Sequence, residues 1–287
     1  MSNRHETKGA SAAGFDADDW SECGDGAGGQ HGTGRKPTVI MIEGAWHWAG
    51  CFQKVANLLA LRGYPVLLPD LKSHGYSDAT YDQVSCMADY VAPVAALLEK
   101  AQEPVVLLGH SMGGATLTSL GELYPHKIRR LIYLAAYMTP NGKTVNDYVS
   151  SPAYATDPSA AELFQVLSPS ADGKGLTLDT TKPALIKAAF YGDCSEHDVA
   201  LAAANVIPTT SNVPGNFVPT GTASRYGSLP RTYIECTADR AIPITQQRQM
   251  QADVPGATVM TLDASHSPFF SQPERLAEMV AAALEAS

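Results

Sequence analysis

Ser111 is the residue best placed to do chemistry. It sits in Gly109-His110-Ser111-Met112-Gly113, directly after the apolar run Val105–Leu108 and before a helical stretch opening at Gly113. A sharp strand-to-helix turn forces its central residue into a strained backbone conformation. Small residues two positions to either side let neighbouring segments approach. Such a turn presents the serine Oγ above the sheet edge, at a helix N-terminus that favours a developing anion. A hydroxyl is a weak nucleophile until a base takes its proton, and that base is usually a histidine oriented by a carboxylate. On the strand–turn–helix pattern the three follow in the order Ser, Asp or Glu, His. Of the eight histidines only His266 follows the last apolar run, in Leu262-Asp263-Ala264-Ser265-His266-Ser267-Pro268. Asp239 lies past the fifth apolar run in Glu235-Cys236-Thr237-Ala238-Asp239-Arg240, and is the expected orienting acid. Asp263 is too near His266 in sequence and is assigned to the loop itself. Glu235 is still inside a strand, and His110 is expected to pack within the turn. Arg240 reads either as a group that keeps Asp239 ionised or as a solvated cation.

The elements that must hold these residues alternate short apolar runs with helical periods, the sign of βα units and a parallel sheet. Strands are expected at Thr38–Ile42, Pro65–Leu68, Pro104–Leu108, Arg130–Leu134, Thr232–Glu235 and Thr258–Leu262. Their near-continuous Val, Ile and Leu suits strands covered on both faces. Helices are expected at Cys51–Leu61, Tyr81–Ala101, Gly113–Leu123, Thr245–Asp253 and Pro273–Leu284. The expectation is an α/β fold: a sheet of about six strands, mainly parallel, flanked by helices and formed by residues 37–137 and 230–287. The stretch 138–229 shows no clear strand and is too long for a plain loop. Helical patches at Ala160–Leu167, Lys182–Phe190 and Ser195–Ala204 make it an inserted, mostly helical cap. Residues 1–36 hold eight of the 24 glycines and no apolar period. They read as a disordered tail, with docking through Phe15 and Trp20 as the alternative.

Composition narrows the partners. The 287 residues are 45% hydrophobic and carry a net charge of −9. That balance opposes general nucleic-acid binding, which needs a basic surface to displace counterions, and opposes an electrostatic hold on anionic membranes. It also favours a neutral substrate over an anionic one. No apolar stretch is long enough to span a bilayer, and no secretory apolar run is found near the N-terminus. Five scattered cysteines without a C-x-x-C pair suit reduced thiols and a cytoplasmic setting. No metal-ligand cluster is evident, and Gly109–Gly114 lacks the Lys-Ser/Thr of a phosphate loop. Neither a metal nor a cofactor is expected.

Several motifs together carry a family resemblance over about residues 37–287. They are Glu43-Gly44-Ala45-Trp46-His47-Trp48, Leu68-Pro69-Asp70-Leu71 with His74-Gly75, the Gly109–Gly113 turn and Phe190-Tyr191-Gly192-Asp193-Cys194. Near the C-terminus come Tyr233-Ile234-Glu235 through Ile242-Pro243, Gln247-Arg248-Gln249-Met250 and Ser265-His266-Ser267-Pro268-Phe269-Phe270. The chain resembles α/β-hydrolases of the methylesterase, hydroxynitrile lyase and pyrethroid-esterase group, the closing stretch looking most like bacterial pyrethroid-hydrolysing carboxylesterases. The resemblance implies an oxyanion hole from the backbone N–H groups of Ala45 and Met112. Two positions depart from patterns in the group. Glu43 stands where His is common, and is a candidate modulator: it either accepts loop N–H bonds or alters the chemistry. The cyanohydrin lyases carry Thr at the position of Gly44 and Lys at that of Ser267, so hydrolysis is preferred here. The expected activity is a serine carboxylic-ester hydrolase working through an acyl-enzyme on a neutral, apolar ester, aromatic esters included. Trp46, Trp48, Tyr137, Met138, Phe164, Phe190, Phe217 and Phe269 are the candidate pocket residues. Lactonase, lyase or cofactor-free oxygenase chemistry on the same three residues, and a non-catalytic ligand-binding protein on the same scaffold, are the alternatives.

Overall fold

The computed structural model describes residues 35–285. Residues 1–34, almost all of the expected tail with Phe15 and Trp20, lie outside the described residues. Strands run in chain order as β1 (Val39–Ile42), β2 (Val66–Leu67), β3 (Val105–His110), β4 (Ile128–Leu134), β5 (Leu167–Pro169), β6 (Gly175–Leu178), β7 (Thr209–Ser211), β8 (Arg231–Cys236) and β9 (Ala257–Leu262). The six apolar runs expected from sequence form one sheet in the order β2-β1-β3-β4-β8-β9. Every pairing in it is parallel, with Ile42 opposite Gly109, His110 opposite Leu134 and Cys236 opposite Leu262.

Side-chain alternation divides the core into two halves. Val39 and Met41 pack on one face with Leu59 of helix Gln53–Leu61 and Leu276 and Val280 of helix Pro273–Glu285. Ile40 and Ile42 pack on the other with Val94 and Leu98 of helix Ala92–Lys100, Leu117 of helix Gly113–Leu123 and Met250 of helix Ile244–Asp253. Both faces are covered, so β1 and β3 are buried throughout. Edge strand β9 is not, and Thr258, Val259 and Thr261 are exposed. In such a sheet, loops at the carboxyl ends of the strands gather on one side. Glu43, Ser111, Asp239 and His266 follow β1, β3, β8 and β9 in this way.

Two expected elements differ. The single helix foreseen over Tyr81–Ala101 is a 3₁₀ turn at Tyr81–Gln83, a short helix at Met87–Tyr90 and a longer one at Ala92–Lys100. Thr80 and Gln83 close a capping box around the first turn, and Pro93 opens the last helix, where it cannot donate a backbone hydrogen bond to a preceding turn. Between β4 and β8 the helices Pro183–Phe190 and Glu196–Asn205 are present, the second capped by Ser195 Oγ accepting from Asp198 N–H. The same stretch, expected to hold no clear strand, also contains the three-stranded antiparallel sheet β5-β6-β7. These strands are short and rich in Thr and Ser, so they lack an apolar run. Gly173, at φ +71° after Asp172, turns β5 into β6, and the Asp-Gly pair was the available signal.

Among the described residues the cysteines at 51, 86, 194 and 236 are free. No helix there is long and apolar enough to cross a membrane, and no group of three metal-ligating side chains converges.

Candidate active site

The turn after β3 holds Ser111 at φ +54°, a left-handed conformation that costs energy for any residue with a side chain. Its backbone is fixed on both sides. The N–H donates to Leu134 O at 3.3 Å, and the carbonyl accepts from Gly114 N at 3.1 Å and Tyr137 N at 3.0 Å. The flanking glycines are required by space. A Cβ at Gly113 would stand 2.8 Å from Glu43 O, and one at Gly109 would stand 2.8 Å from Gly113 O.

Asp239 and His266 meet in a buried pair, Oδ2 to Nδ1 at 2.8 Å. The other carboxylate oxygen accepts from Ala241 N at 2.7 Å and Ile242 N at 2.8 Å, and Gln247 Nε2 reaches Oδ2 at 3.3 Å. Four donors thus meet one carboxylate and fix its plane. With Nδ1 engaged by Asp239, Nε2 is the His266 nitrogen left to serve a reacting group. The His266 loop is itself tied down. His110 Nε2–H donates to His266 O at 2.8 Å, and Ser265 N–H donates to Asp193 Oδ2 at 3.1 Å while its Oγ–H donates to Asp193 Oδ1. Arg240 does not touch Asp239: its guanidinium reaches Glu162 at 2.5 Å, which excludes the role of holding Asp239 ionised by direct pairing. Asp263 accepts from Thr237 Oγ1 at 2.8 Å, and Glu235 is satisfied by Arg248, Gln251 and Thr261.

The third component is the turn 43–48. A Cβ at Gly44 would stand 2.7 Å from Ser111 Cβ, so this turn lies directly against the serine. Among the described residues neither Ala45 N–H nor Met112 N–H meets a protein acceptor. Trp46, at φ +62°, accepts from Ile207 N at 2.9 Å and donates its Nε1–H to Leu176 O at 2.9 Å. His47 is buried, its Nδ1 2.9 Å from Ala45 O and its Nε2 2.8 Å from Tyr191 OH. Burial drives its pKa down to about 4, so the ring is neutral, donating from Nδ1 and accepting at Nε2. His74 is likewise held down to about 4 by burial, between His47 O and the hydroxyls of Thr210 and Tyr90. Burial pushes His110 well below its ordinary range too.

Glu43 is fully buried. Its Oε1 accepts from Leu71 N at 2.7 Å and lies 3.6 Å from His74 Nδ1, while Oε2 has no partner among the described residues. Burial raises its pKa to about 8, so the carboxyl is protonated at neutral pH and its contact with His74 joins two neutral groups. The serine therefore faces no carboxylate from this turn at pH 7.

The aromatic candidates divide. Phe190 lies 5.7 Å from His266 and 5.8 Å from Trp46, ring to ring, and Phe269 lies 5.0 Å from His110. Trp48 packs on Phe270, and Phe164 packs on Tyr154. Met138 is fully buried core, and Tyr137 is buried with its backbone bonded to Ser111. Phe217 is elsewhere: with Val84, Met87 and Val213 it lines a surface groove of about 690 Å³ that includes neither Ser111 nor His266. Its turn folds against the 82–87 segment, a placement that nothing in the local sequence encodes.

Sequence reasoning did not assign roles to His47, Tyr191, Asp193 or Gln247. The motifs Phe190–Cys194 and Gln247–Met250 were visible, but their partners are remote in sequence. His47 and Tyr191 are 144 positions apart, and Asp193 and Ser265 are 72 apart.

Comparison with known proteins agrees with this architecture. A pyrethroid hydrolase from Sphingobium wenxiniae is 39% identical over 246 residues, 85% of this chain and 86% of that protein. Methylesterase 1 of Arabidopsis thaliana is 30% identical over 254 residues, 85% of this chain and 94% of its own. The crystal structure of a pyrethroid hydrolase from Sphingobium faniae JZ-2 superposes with a TM-score of 0.80 at 36% identity, over 87% of this chain and 98% of that one. The model of the alpha/beta hydrolase family matches residues 31–279, and the chain belongs to that family.

Proposed function

We propose that the protein is a serine carboxylic-ester hydrolase acting through an acyl-enzyme on neutral, apolar esters. The observation that carries this reading is the buried Asp239–His266 pair at 2.8 Å, whose loop is bonded through His266 O to His110, the residue before a serine held at positive φ by the turn after β3. Ser111 Oγ attacks the ester carbonyl as His266 Nε2 takes its proton. Asp239 keeps the imidazole oriented and stabilises its charged form. Ala45 N–H and Met112 N–H, both without protein acceptors among the described residues, supply donors to the developing oxyanion. His266 then returns the proton to the leaving alcohol, and water repeats the sequence to release the acid.

Similarity to a pyrethroid hydrolase and to methylesterases supports ester hydrolysis. Phe190, Phe269 and Trp46 around His266 and His110 support an apolar ligand. Two features speak against cyanohydrin cleavage. Gly44 lies so close to Ser111 that a β-carbon there would force the turn to move. Ser267 is buried, and His47 and His110 are neutral, so neither that position nor these two rings supplies a cation for a leaving cyanide. Residues 138–229 act as the cap over the carboxyl edge of the sheet. Four free cysteines among the described residues support a cytoplasmic setting.

A panel of 4-nitrophenyl, methyl, lactone and cyanohydrin substrates tests the reading. Acid release from apolar esters that disappears in Ser111→Ala is the expected result. Full turnover by Ser111→Ala, or ketone and cyanide release without an acid product, refutes it.

A further inference from the structure

One short segment of the insertion reaches both halves of the catalytic apparatus. Helix Pro183–Phe190 ends at Tyr191-Gly192-Asp193-Cys194. From this turn Asp193 points to the loop after β9, where its two oxygens take the N–H and the O–H of Ser265, the residue before His266. Cys194 Sγ lies 3.8 Å from Ser267 O, the residue after His266. At the start of the turn, Tyr191 OH donates to His47 Nε2 at 2.8 Å, and the opposite nitrogen of that ring donates to Ala45 O at 2.9 Å. Tyr191, His47, Ser265 and Ser267 are all buried.

Resting on the hydrolase reading above, we propose that Tyr191–Cys194 is a positioning brace that sets the base loop through Asp193–Ser265 and the oxyanion turn through Tyr191–His47. Neither Asp193 nor Tyr191 is needed as an acid or base. Each acts at one remove, Asp193 through Ser265 on His266 and Tyr191 through His47 on Ala45. The polarity of the contacts suits a fixed brace. A carboxylate accepts both Ser265 donors, and the Tyr191 hydroxyl fixes the His47 tautomer that must donate to Ala45 O. The base loop and the oxyanion turn follow different strands, β9 and β1, and the brace couples them by side chains of one four-residue turn. Catalytic geometry tolerates little drift, since about 1 Å of misplacement can cost on the order of 10²-fold in rate.

The full chain and the variants Asp193→Ala, Asp193→Asn, Ser265→Ala and Tyr191→Phe are compared for 4-nitrophenyl acetate turnover, with circular dichroism and melting to certify folding. The brace predicts that Asp193→Ala and Ser265→Ala each lower kcat by about tenfold to 10²-fold, with KM within about threefold. Asp193→Asn, which keeps an acceptor oxygen, recovers most of that loss. The double variant Asp193→Ala/Ser265→Ala is no slower than Asp193→Ala, because Asp193→Ala already removes both bonds, including the hydroxyl bond that Ser265→Ala removes. Tyr191→Phe lowers kcat in the same direction. A folded Asp193→Ala with kcat within about threefold of the parent, a change confined to KM, or multiplicative losses in the double variant overturns the brace. If Asp193→Ala fails to fold, Ser265→Ala removes the hydroxyl bond from the other side and is judged by the same criteria. Labelling by a fluorophosphonate separates the two levels. A parent unlabelled at Ser111 overturns the hydrolase reading and the brace with it. A labelled parent whose Asp193→Ala variant reacts at the parent rate overturns the brace alone.

Discussion

Replacing Glu43 by glutamine should flatten the pH dependence of folding stability. Glu43 is completely buried, with one oxygen bonded to Leu71 N–H and the other without a partner among the described residues. Its pKa is raised from 4.5 to about 8, first by burial and further by the nearby Asp70. The folded protein therefore keeps a proton that the unfolded chain releases above about pH 4.5. Wherever the folded state binds more protons, stability falls as pH rises. The loss accumulates between the unfolded and folded values and levels off above about 8. At about 1.4 kcal/mol per pH unit the full interval amounts to roughly 5 kcal/mol, and the part between pH 5 and pH 7 to roughly 3 kcal/mol. Glutamine has nearly the same shape and still accepts from Leu71 N–H, but cannot ionise. The difference in unfolding free energy, Glu43→Gln minus parent, should grow by roughly 3 kcal/mol from pH 5 to pH 7. Urea denaturation at fixed ionic strength at pH 5, 6, 7 and 8 measures it. Histidine titration occurs in both proteins and cancels in the difference. A difference that stays constant across pH, or shrinks as pH rises, refutes the assignment of Glu43 as a buried neutral acid.

Three further outcomes are expected. Asp239→Asn should remain folded, because Gln247 and two backbone donors still frame the site, but should lose on the order of 10⁴-fold in kcat as the His266 tautomer is lost, measured by steady-state hydrolysis. Gly44→Ala should lower kcat by at least about tenfold with little change in melting temperature, since its β-carbon would meet Ser111 Cβ at 2.7 Å and displace the oxyanion turn. On the acid side, His47 and His74 are held neutral down to about pH 4, whereas the unfolded chain protonates near 6.5. The unfolded state then binds more protons, so their contribution is fully present above about 6.5 and is lost as pH falls towards 4. Calorimetry of His47→Gln should give a shallower decline of melting temperature over that window than the parent.

The parallel sheet was legible because burial on both faces demands near-continuous runs such as Val39–Ile42 and Val105–Leu108, which few other elements need. The turn at Ser111 was legible for a related reason: it requires glycines at fixed offsets, and the structure places backbone where their β-carbons would be. Strands β5, β6 and β7 were not, because antiparallel strands of three or four residues with Thr and Ser among them carry no apolar signature. The break at Pro93 was written in the sequence and was overridden by the apolar period around it. The contacts of Asp193, Tyr191, His47 and Phe217 were illegible in principle. They depend on how distant segments meet, and the pattern of one chain does not encode which buried polar group finds which partner.

If Ser111 is a nucleophile activated by His266 and Asp239, it should react with an alkyl fluorophosphonate, as read by intact-mass measurement and peptide mapping. One adduct per chain, carried on Ser111, is expected, and none in Ser111→Ala or His266→Ala over the same interval. An unlabelled parent, or an adduct mapped to another residue, would contradict it.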